Sequence, residues 1–291
     1  MKKALAIDIG GTKIFNTIIN ESGKILTEVE KSSTPKTAEE IQDTLKNIIK
    51  KYEKEVDVIA IATAGDVNLS NNAVIGSTGN LPKGYSEIDF SKLSSKRVFL
   101  ENDANAAAWA EYKLGASKNT TVSILLTLGT GVGGGIIIND KLLKGRDGSA
   151  GEVHFKMFLD KRRKCTCGSW DCFEIYASGK ALALDAQEML NNKDLTSYDV
   201  INGVQTGNQE MIKVWERWQK DIASGIVGLT NIFNPDCFVL SGSMADFVDI
   251  KKLEATVNAD ILASSVEIRK AITGNYSGMV GIALLALQEI I

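Results

Sequence analysis

Three groups of residues in this chain have the types and spacing for chemistry. The first is Cys165-x-Cys167-x4-Cys172, with the chain's single histidine nearby at His154. Three thiolates and one imidazole are the number and type of ligands that a closed tetrahedral Zn²⁺ site requires. Four protein ligands leave no open position for water, so the metal expected here is structural. Reduced, buried cysteines are the plain alternative.

The second group is a pair of glycine-rich turns, Asp8-Ile9-Gly10-Gly11-Thr12-Lys13 and Gly129-Thr130-Gly131-Val132-Gly133-Gly134-Gly135. Glycine lets the backbone turn and bring N–H groups close to an anion, which a triphosphate needs during transfer. For either turn alone, a hairpin without a ligand is the alternative. The second turn contains GxGxxG, but it runs into Ile136, Ile137 and Ile138 rather than opening a helix, so the match to a dinucleotide fingerprint is weak. There is no GxxxxGK[ST] loop. Asp8, at the end of a buried strand, is placed to hold Mg²⁺ or its water shell near phosphates; otherwise it is a turn residue.

The third is Asp103, a carboxylate between a strand and an alanine-rich helix. A hydroxyl attacking phosphorus needs a positioned acceptor for its proton, and a carboxylate at a helix N-terminus can serve. An N-cap that only satisfies backbone donors is the competing reading. Asn102 beside it could orient a sugar hydroxyl, or do nothing.

The elements that must hold these groups follow from periodicity. The opening reads as strand ALAID, a glycine turn, strand KIFNTIIN, a turn, and strand ILTEVE, a β-meander. Thr37 with Glu40 predicts a capping box ahead of a helix through Ile41, Leu45, Ile48 and Ile49. VDVIAIA reads as a buried strand ending at Gly65. Strand RVFL leads into the helix ENDANAAAWAEYKLG, which Gly115 would cap. Ser123 to Leu143 repeats the plan of the opening, so two lobes with related starts are expected. Met211 through Phe233 forms one long amphipathic helix stopped before Pro235, its tryptophans in the core. Strand CFVLSG, a helix through LEATV, strand VEIRKAI and an apolar helix from Ser277 to Ile291 complete the chain. Lys161 to Lys164 read as a solvated basic loop.

The 291 residues are 44% hydrophobic and 24% charged, a globular profile with length for two domains. A formal net charge of -3 gives no electrostatic reason to expect nucleic acid or an anionic membrane. The start MKKALAIDIGG fails as a signal peptide, no stretch is long enough to span a bilayer, and four cysteines do not make a disulfide scaffold. A cytoplasmic location is expected.

The ordered segments DIGGTK (8–13), GNLP (79–82), ENDANAAAWAE (101–111), LGTGVGGGI (128–136), AGE (150–152) and CTCGSWDCFE (165–174) resemble the ROK family of bacterial sugar kinases and sugar-responsive repressors. The likeness covers almost the whole chain. It implies an α/β, two-lobed, actin-like ATPase (ribonuclease H-like) fold, each lobe a mixed sheet with flanking helices. Residues 1–115, joined by 277–291, would form one lobe and 116–276 the other, with a zinc-site loop at 152–174. By resemblance, Asp103 is the general base toward a hexose hydroxyl, and Gly10, Gly11, Thr12, Lys13, Gly129, Thr130, Gly131 and Gly242 bind ATP. Asp8 sits near Mg²⁺. Gly65, Asn80, Asn102, Asp103, Glu152 and Glu174 line the sugar, and His154, Cys165, Cys167 and Cys172 hold zinc. Homodimerisation is usual in the family.

The chain departs from the family pattern around the zinc loop. Gly151-Glu152-Val153-His154-Phe155 stands where the family usually reads Gly-Glu-x-Gly-His, so Phe155 occupies the histidine position and a shifted His154 is expected to take the role. Asp171 replaces a usual glycine, Ser243 the second of a glycine pair, and Ala64 and Asp66 replace prolines beside Gly65. The resemblance implies phosphorylation of glucose first, with fructose, N-acetylmannosamine and N-acetylglucosamine as alternatives. A sugar-sensing regulator is the contrasting class; with seven residues before Asp8, a helix-turn-helix is not expected.

Overall fold

The computed structural model describes residues 1–76 and 81–290, and its contacts divide the chain into two compact units. One comprises Met1–Lys118, Gly135–Gly151 and Ile272–Ile291; the other comprises Asn119–Gly134 and Glu152–Ala271.

The first unit opens with β1 (Lys3–Ile9), β2 (Lys13–Asn20), β3 (Glu30–Ser33), α1 (Ala38–Tyr52) and β4 (Val58–Thr63). A short ribbon, β5 (Asp66–Val67) and β6 (Val74–Gly76), precedes β7 (Val98–Asn102) and α2 (Asp103–Leu114). Thr37 is the N-cap of α1, its Oγ1 accepting from Glu40 N–H, but Glu40 bonds the Thr37 hydroxyl rather than its backbone N–H, so the expected capping box is only half formed. The third strand is displaced from the expected ILTEVE to Glu30–Ser33. Around 24–29 the Thr17 hydroxyl bonds Thr27 through both its carbonyl and its Oγ1, and this side-chain pairing takes the place of a regular ladder.

Period-two alternation in β1 and β4 divides large from small side chains, and this decides what packs on each face. Leu5, Ile7, Ile9, Ile59 and Ile61 meet Ile41, Leu45 and Ile49 of α1. Ala4, Ala6, Ala60 and Ala62 form the opposite face, covered by α2 and by α8 (Ser277–Gln288). Small residues let those helices come close. At Gly281 a Cβ would lie 1.7 Å from the Ala106 carbonyl oxygen, so only glycine fits the α2–α8 contact.

The second unit carries β8 (Val122–Leu128), the start of β9 (Val132–Ile138), α3 (Glu174–Ala177), α4 (Gly179–Met189), α5 (Ser197–Gln205), α6 (Gln209–Phe233), β11 (Cys237–Ser241), α7 (Ile250–Asp260) and β12 (Glu267–Lys270). The long helix starts two residues before the expected Met211 and ends at Asn234 in a left-handed conformation; Trp218 is fully buried, whereas Trp215 is half-buried and donates to the Phe247 carbonyl (2.8 Å). β10 (Lys141–Leu142) completes a sheet of order β10-β9-β8-β11-β12, matching the first sheet's β3-β2-β1-β4-β7. The repeated plan seen in the sequence is therefore a repeated strand order.

Several local readings are corrected. Gly133 to Gly135 lie in β9 rather than in the turn, which is confined to Gly129–Gly131. Gly115 is not a left-handed cap (φ -119); glycine is required because the Glu111 carboxylate would sit 2.1 Å from a Cβ. Gly135–Gly151, expected within the second lobe, packs with the first unit, where Ile137 joins Trp109 and Tyr112 in one cluster. Among the described residues no helix is long and apolar enough to cross a membrane.

Candidate functional site

In the first unit the expected base lies at a strand-to-helix junction. The N-cap of α2 is Asn102, whose Oδ1 accepts from Ala104 N–H (2.9 Å) and Asn105 N–H (3.1 Å). Asp103 is the first helical residue, not the cap; its Oδ1 shares the Ala104 N–H (2.8 Å) with Asn102, and Oδ2 stands outside the cap. Its side chain is open to solvent. Nevertheless the surrounding protein displaces enough water to hold its carboxyl above the ordinary carboxylate value, with Ala104 N–H donation opposing the shift. Asp8, at the end of β1, is pushed up to about 7, by burial first and by the charge of Asp103 second.

Asn102 has little capacity left for a substrate. Its Nδ2 also donates to the Gly65 carbonyl (3.1 Å), so one N–H remains. That carbonyl, offered by a glycine in the left-handed region (φ +92), thus holds the cap in place. At the first turn Gly10 N–H donates to the Lys13 carbonyl (2.9 Å), closing the β1–β2 hairpin and leaving Gly11, Thr12 and Lys13 exposed. Lys31 beside Lys13 lowers its ammonium pKa. Asn80 lies outside the described residues.

In the second unit, the second glycine turn and the cysteine loop meet at Glu174. Glu174 Oε2 accepts from Val132 N–H (3.2 Å), and Oε1 accepts from Thr166 Oγ1 (2.9 Å). A Cβ on Gly131 would lie 2.5 Å from Oε2, so the turn needs glycine there to admit the carboxylate. The Gly129 carbonyl accepts from Gly179 N–H (2.8 Å) at the start of α4. Gly242 also takes a left-handed conformation (φ +87), its backbone close against Leu128.

The cysteine–histidine group fits a metal. One ligand atom each from His154, Cys165 and Cys167 lies within 4.8 Å of the others, and Cys172 Sγ is 3.5 Å from Cys167 Sγ. His154 Nε2 is buried without a hydrogen-bond partner, which a bound cation would satisfy. His154 also faces both acidic residues expected at the sugar, with Nδ1 3.7 Å from Glu152 and Nε2 3.8 Å from Glu174. Phe155 instead stacks on Phe173 (5.0 Å between centroids), so the shifted histidine is the one that reaches the cysteines.

The basic run before the cysteines is not simply solvated. Arg163 is buried and pairs with Asp185 and Glu188. Asp171 adopts φ +55, which accounts for the glycine expected there, and accepts from Arg162 N–H, Arg163 N–H and the Tyr176 hydroxyl. These partners mount the loop on α3 and α4 independently of a metal.

The ROK family model matches residues 4–289. The chain belongs to the ROK family. It is 32% identical over 322 aligned positions to a glucokinase of Streptomyces coelicolor, covering 99% of this chain and 98% of that protein. It is also 32% identical over 294 positions to an N-acetylmannosamine kinase of Yersinia pseudotuberculosis, covering 98% of this chain and 99% of the relative. Among solved structures, a ROK family glucokinase from Streptomyces griseus in complex with glucose and AMPPNP superposes with TM-score 0.82 at 29% identity, covering 98% of this chain and 99% of that one. The expected actin-like ATPase fold of mixed sheets with flanking helices is thus the fold of this ROK chain.

Sequence reasoning missed Glu101 and Lys144, which pair behind the start of α2. The available signal was a charged residue ending an otherwise buried strand, but it named no partner.

Proposed function

We propose that this ROK protein is an ATP-dependent kinase that phosphorylates a hexose hydroxyl, with glucose as the first candidate. The observation that carries the reading is Asp103: a carboxylate at the first position of α2, open to solvent, with Asn102 as the N-cap beside it and its affinity for protons raised.

In the proposed reaction Asp103 accepts the proton as the sugar oxygen bonds to the γ-phosphorus of ATP. The bond from that phosphorus to the bridging oxygen breaks, and ADP leaves. Gly10, Gly11, Thr12, Lys13, Gly129, Thr130, Gly131 and Gly242 are assigned to the nucleotide by the family resemblance. Glu152 and Glu174 are assigned to sugar hydroxyls, Asn102 contributes at most its remaining N–H, and Gly65 acts through its carbonyl on Asn102. Asn80 is assigned to the sugar by resemblance alone. Asp8, whose proton a cation would displace, would hold Mg²⁺, which when bound neutralises phosphate charge. His154, Cys165, Cys167 and Cys172 would hold a structural Zn²⁺ that fixes the loop bearing Glu174. A homodimer is proposed from the family alone.

The equal identity to a glucokinase and to an N-acetylmannosamine kinase supports an N-acetylhexosamine as the second reading. An ADP-release assay with Mg²⁺·ATP against hexoses and N-acetylhexosamines, on protein of measured zinc content, tests both. Turnover on one sugar names the substrate. Saturable sugar binding with no turnover on any sugar would replace the kinase by a sugar-sensing regulator.

A further inference from the structure

Behind the junction that carries Asp103, Glu101 is 1% exposed and its carboxylate is the meeting point of four segments. Oε1 accepts from Asn102 N–H (2.8 Å) and from Asn105 Nδ2 (3.1 Å), and Oε2 accepts from Asn71 Nδ2 (3.1 Å). Lys144 Nζ, from the segment after β10, reaches both oxygens at 2.7 and 2.6 Å. All these residues belong to the first unit.

We propose that Glu101 and Lys144 form a positioning pair that sets the direction in which Asp103 presents its carboxylate. The inference rests on the kinase reading and deepens it. Glu101 holds the residue before Asp103 through its backbone and the residue two after it through its side chain. Between two such anchors the Asp103 backbone cannot turn independently. Asn102 then places its Oδ1 on the amides of Ala104 and Asn105, so the cap and Asp103 move as one body. Asn71, which lies between β5 and β6, ties that ribbon to β7 as well, its Nδ2 donating to the Leu100 carbonyl (2.8 Å). A buried carboxylate can accept this many bonds only while ionised, and a buried charge persists only when paired. Lys144 supplies that pairing. The hydrogen bonds of its ammonium group go to Glu101, so its effect on the reaction is expected to pass through that carboxylate.

A misplacement of about 1 Å at a reacting group costs on the order of 100-fold in rate without weakening substrate binding in proportion. The test is steady-state kinetics and thermal melting of wild type, Lys144→Met, Lys144→Arg, Glu101→Gln and the double variant Glu101→Gln/Lys144→Met. Lys144→Met is expected to lower kcat about 10- to 100-fold with both KM values within about threefold, and Lys144→Arg to restore most of it. The double variant should recover part of the loss, because a neutral amide still accepts from Asn102 N–H without leaving an unpaired charge. A Lys144→Met protein that melts lower but keeps wild-type kcat would reduce the pair to a structural one and overturn the proposal. Should Lys144→Met fail to fold, Glu101→Gln decides alone: it keeps volume and an acceptor, and unchanged kcat would overturn the pair's role. A wild type inactive on every sugar would sink the kinase reading instead. Amide exchange at Asn102 and Asn105 would then judge the pair, and protection unchanged in Lys144→Met would refute it.

Discussion

The negative charge of Asp103 raises the pKa of Asp8, so the two acids expected at opposite ends of the chemistry, metal and base, are electrostatically coupled within one unit. Two acids sharing a site this way oppose each other's ionisation, and a cation between phosphate and carboxylate relieves the opposition. The coupling makes the ion-free protein sensitive to pH.

Asp8 is raised from an ordinary 3.8 to about 7, so the folded state holds a proton there that the unfolded chain releases. Stability from this group is fully present below pH 3.8 and is lost as pH rises through about 7. Melting temperature in metal-free buffer should therefore fall across that window, and Asp8→Asn should flatten the fall. An identical pH dependence in the variant would contradict the assignment.

Replacing the proposed base should separate chemistry from binding. Asp103→Asn is expected to lower kcat by about 10²- to 10⁴-fold while sugar affinity, read by calorimetry, stays near wild type. Because the Asp103 carboxyl titrates above its ordinary value, the acid limb of the wild-type rate profile should lie above that value too. Near wild-type turnover in Asp103→Asn would remove it from the mechanism.

Zinc content should follow the shifted histidine. His154→Ala is expected to reduce bound zinc and weaken sugar binding through Glu174 and Glu152, whereas Phe155→Leu should retain full zinc. Metal analysis beside sugar titration checks both. With Arg163 and Asp171 intact, chelation should lower the melting temperature without unfolding the second unit, as circular dichroism would record.

The α2–α8 contact predicts a purely structural failure. Gly281→Val drives a side chain into the Ala106 carbonyl, and overpacking of this kind should cost about 3 kcal/mol in chemical denaturation. The same substitution at Gly228, where a Cβ meets nothing within 4 Å, should cost far less.

What the sequence determined by itself was carried locally. The N-cap at Thr37, the period-3.6 stripe of α6, the alternation in β1 and β4, and the glycine turn after each first strand are all set by neighbours a few residues apart. So was the cysteine spacing that marks the candidate metal loop. Only the tertiary structure decided three other matters, each depending on a residue distant in the chain. Asn102, not Asp103, is the cap, and the Gly65 carbonyl holds it from 37 positions away. His154 rather than Phe155 turns to the cysteines, because Phe155 finds Phe173. Glu101 becomes the anchor of the junction once Lys144, 43 positions on, neutralises it. Hydrogen-bond saturation and the cost of an unpaired buried charge set these choices, and neither can be counted until the fold has chosen each group's neighbours.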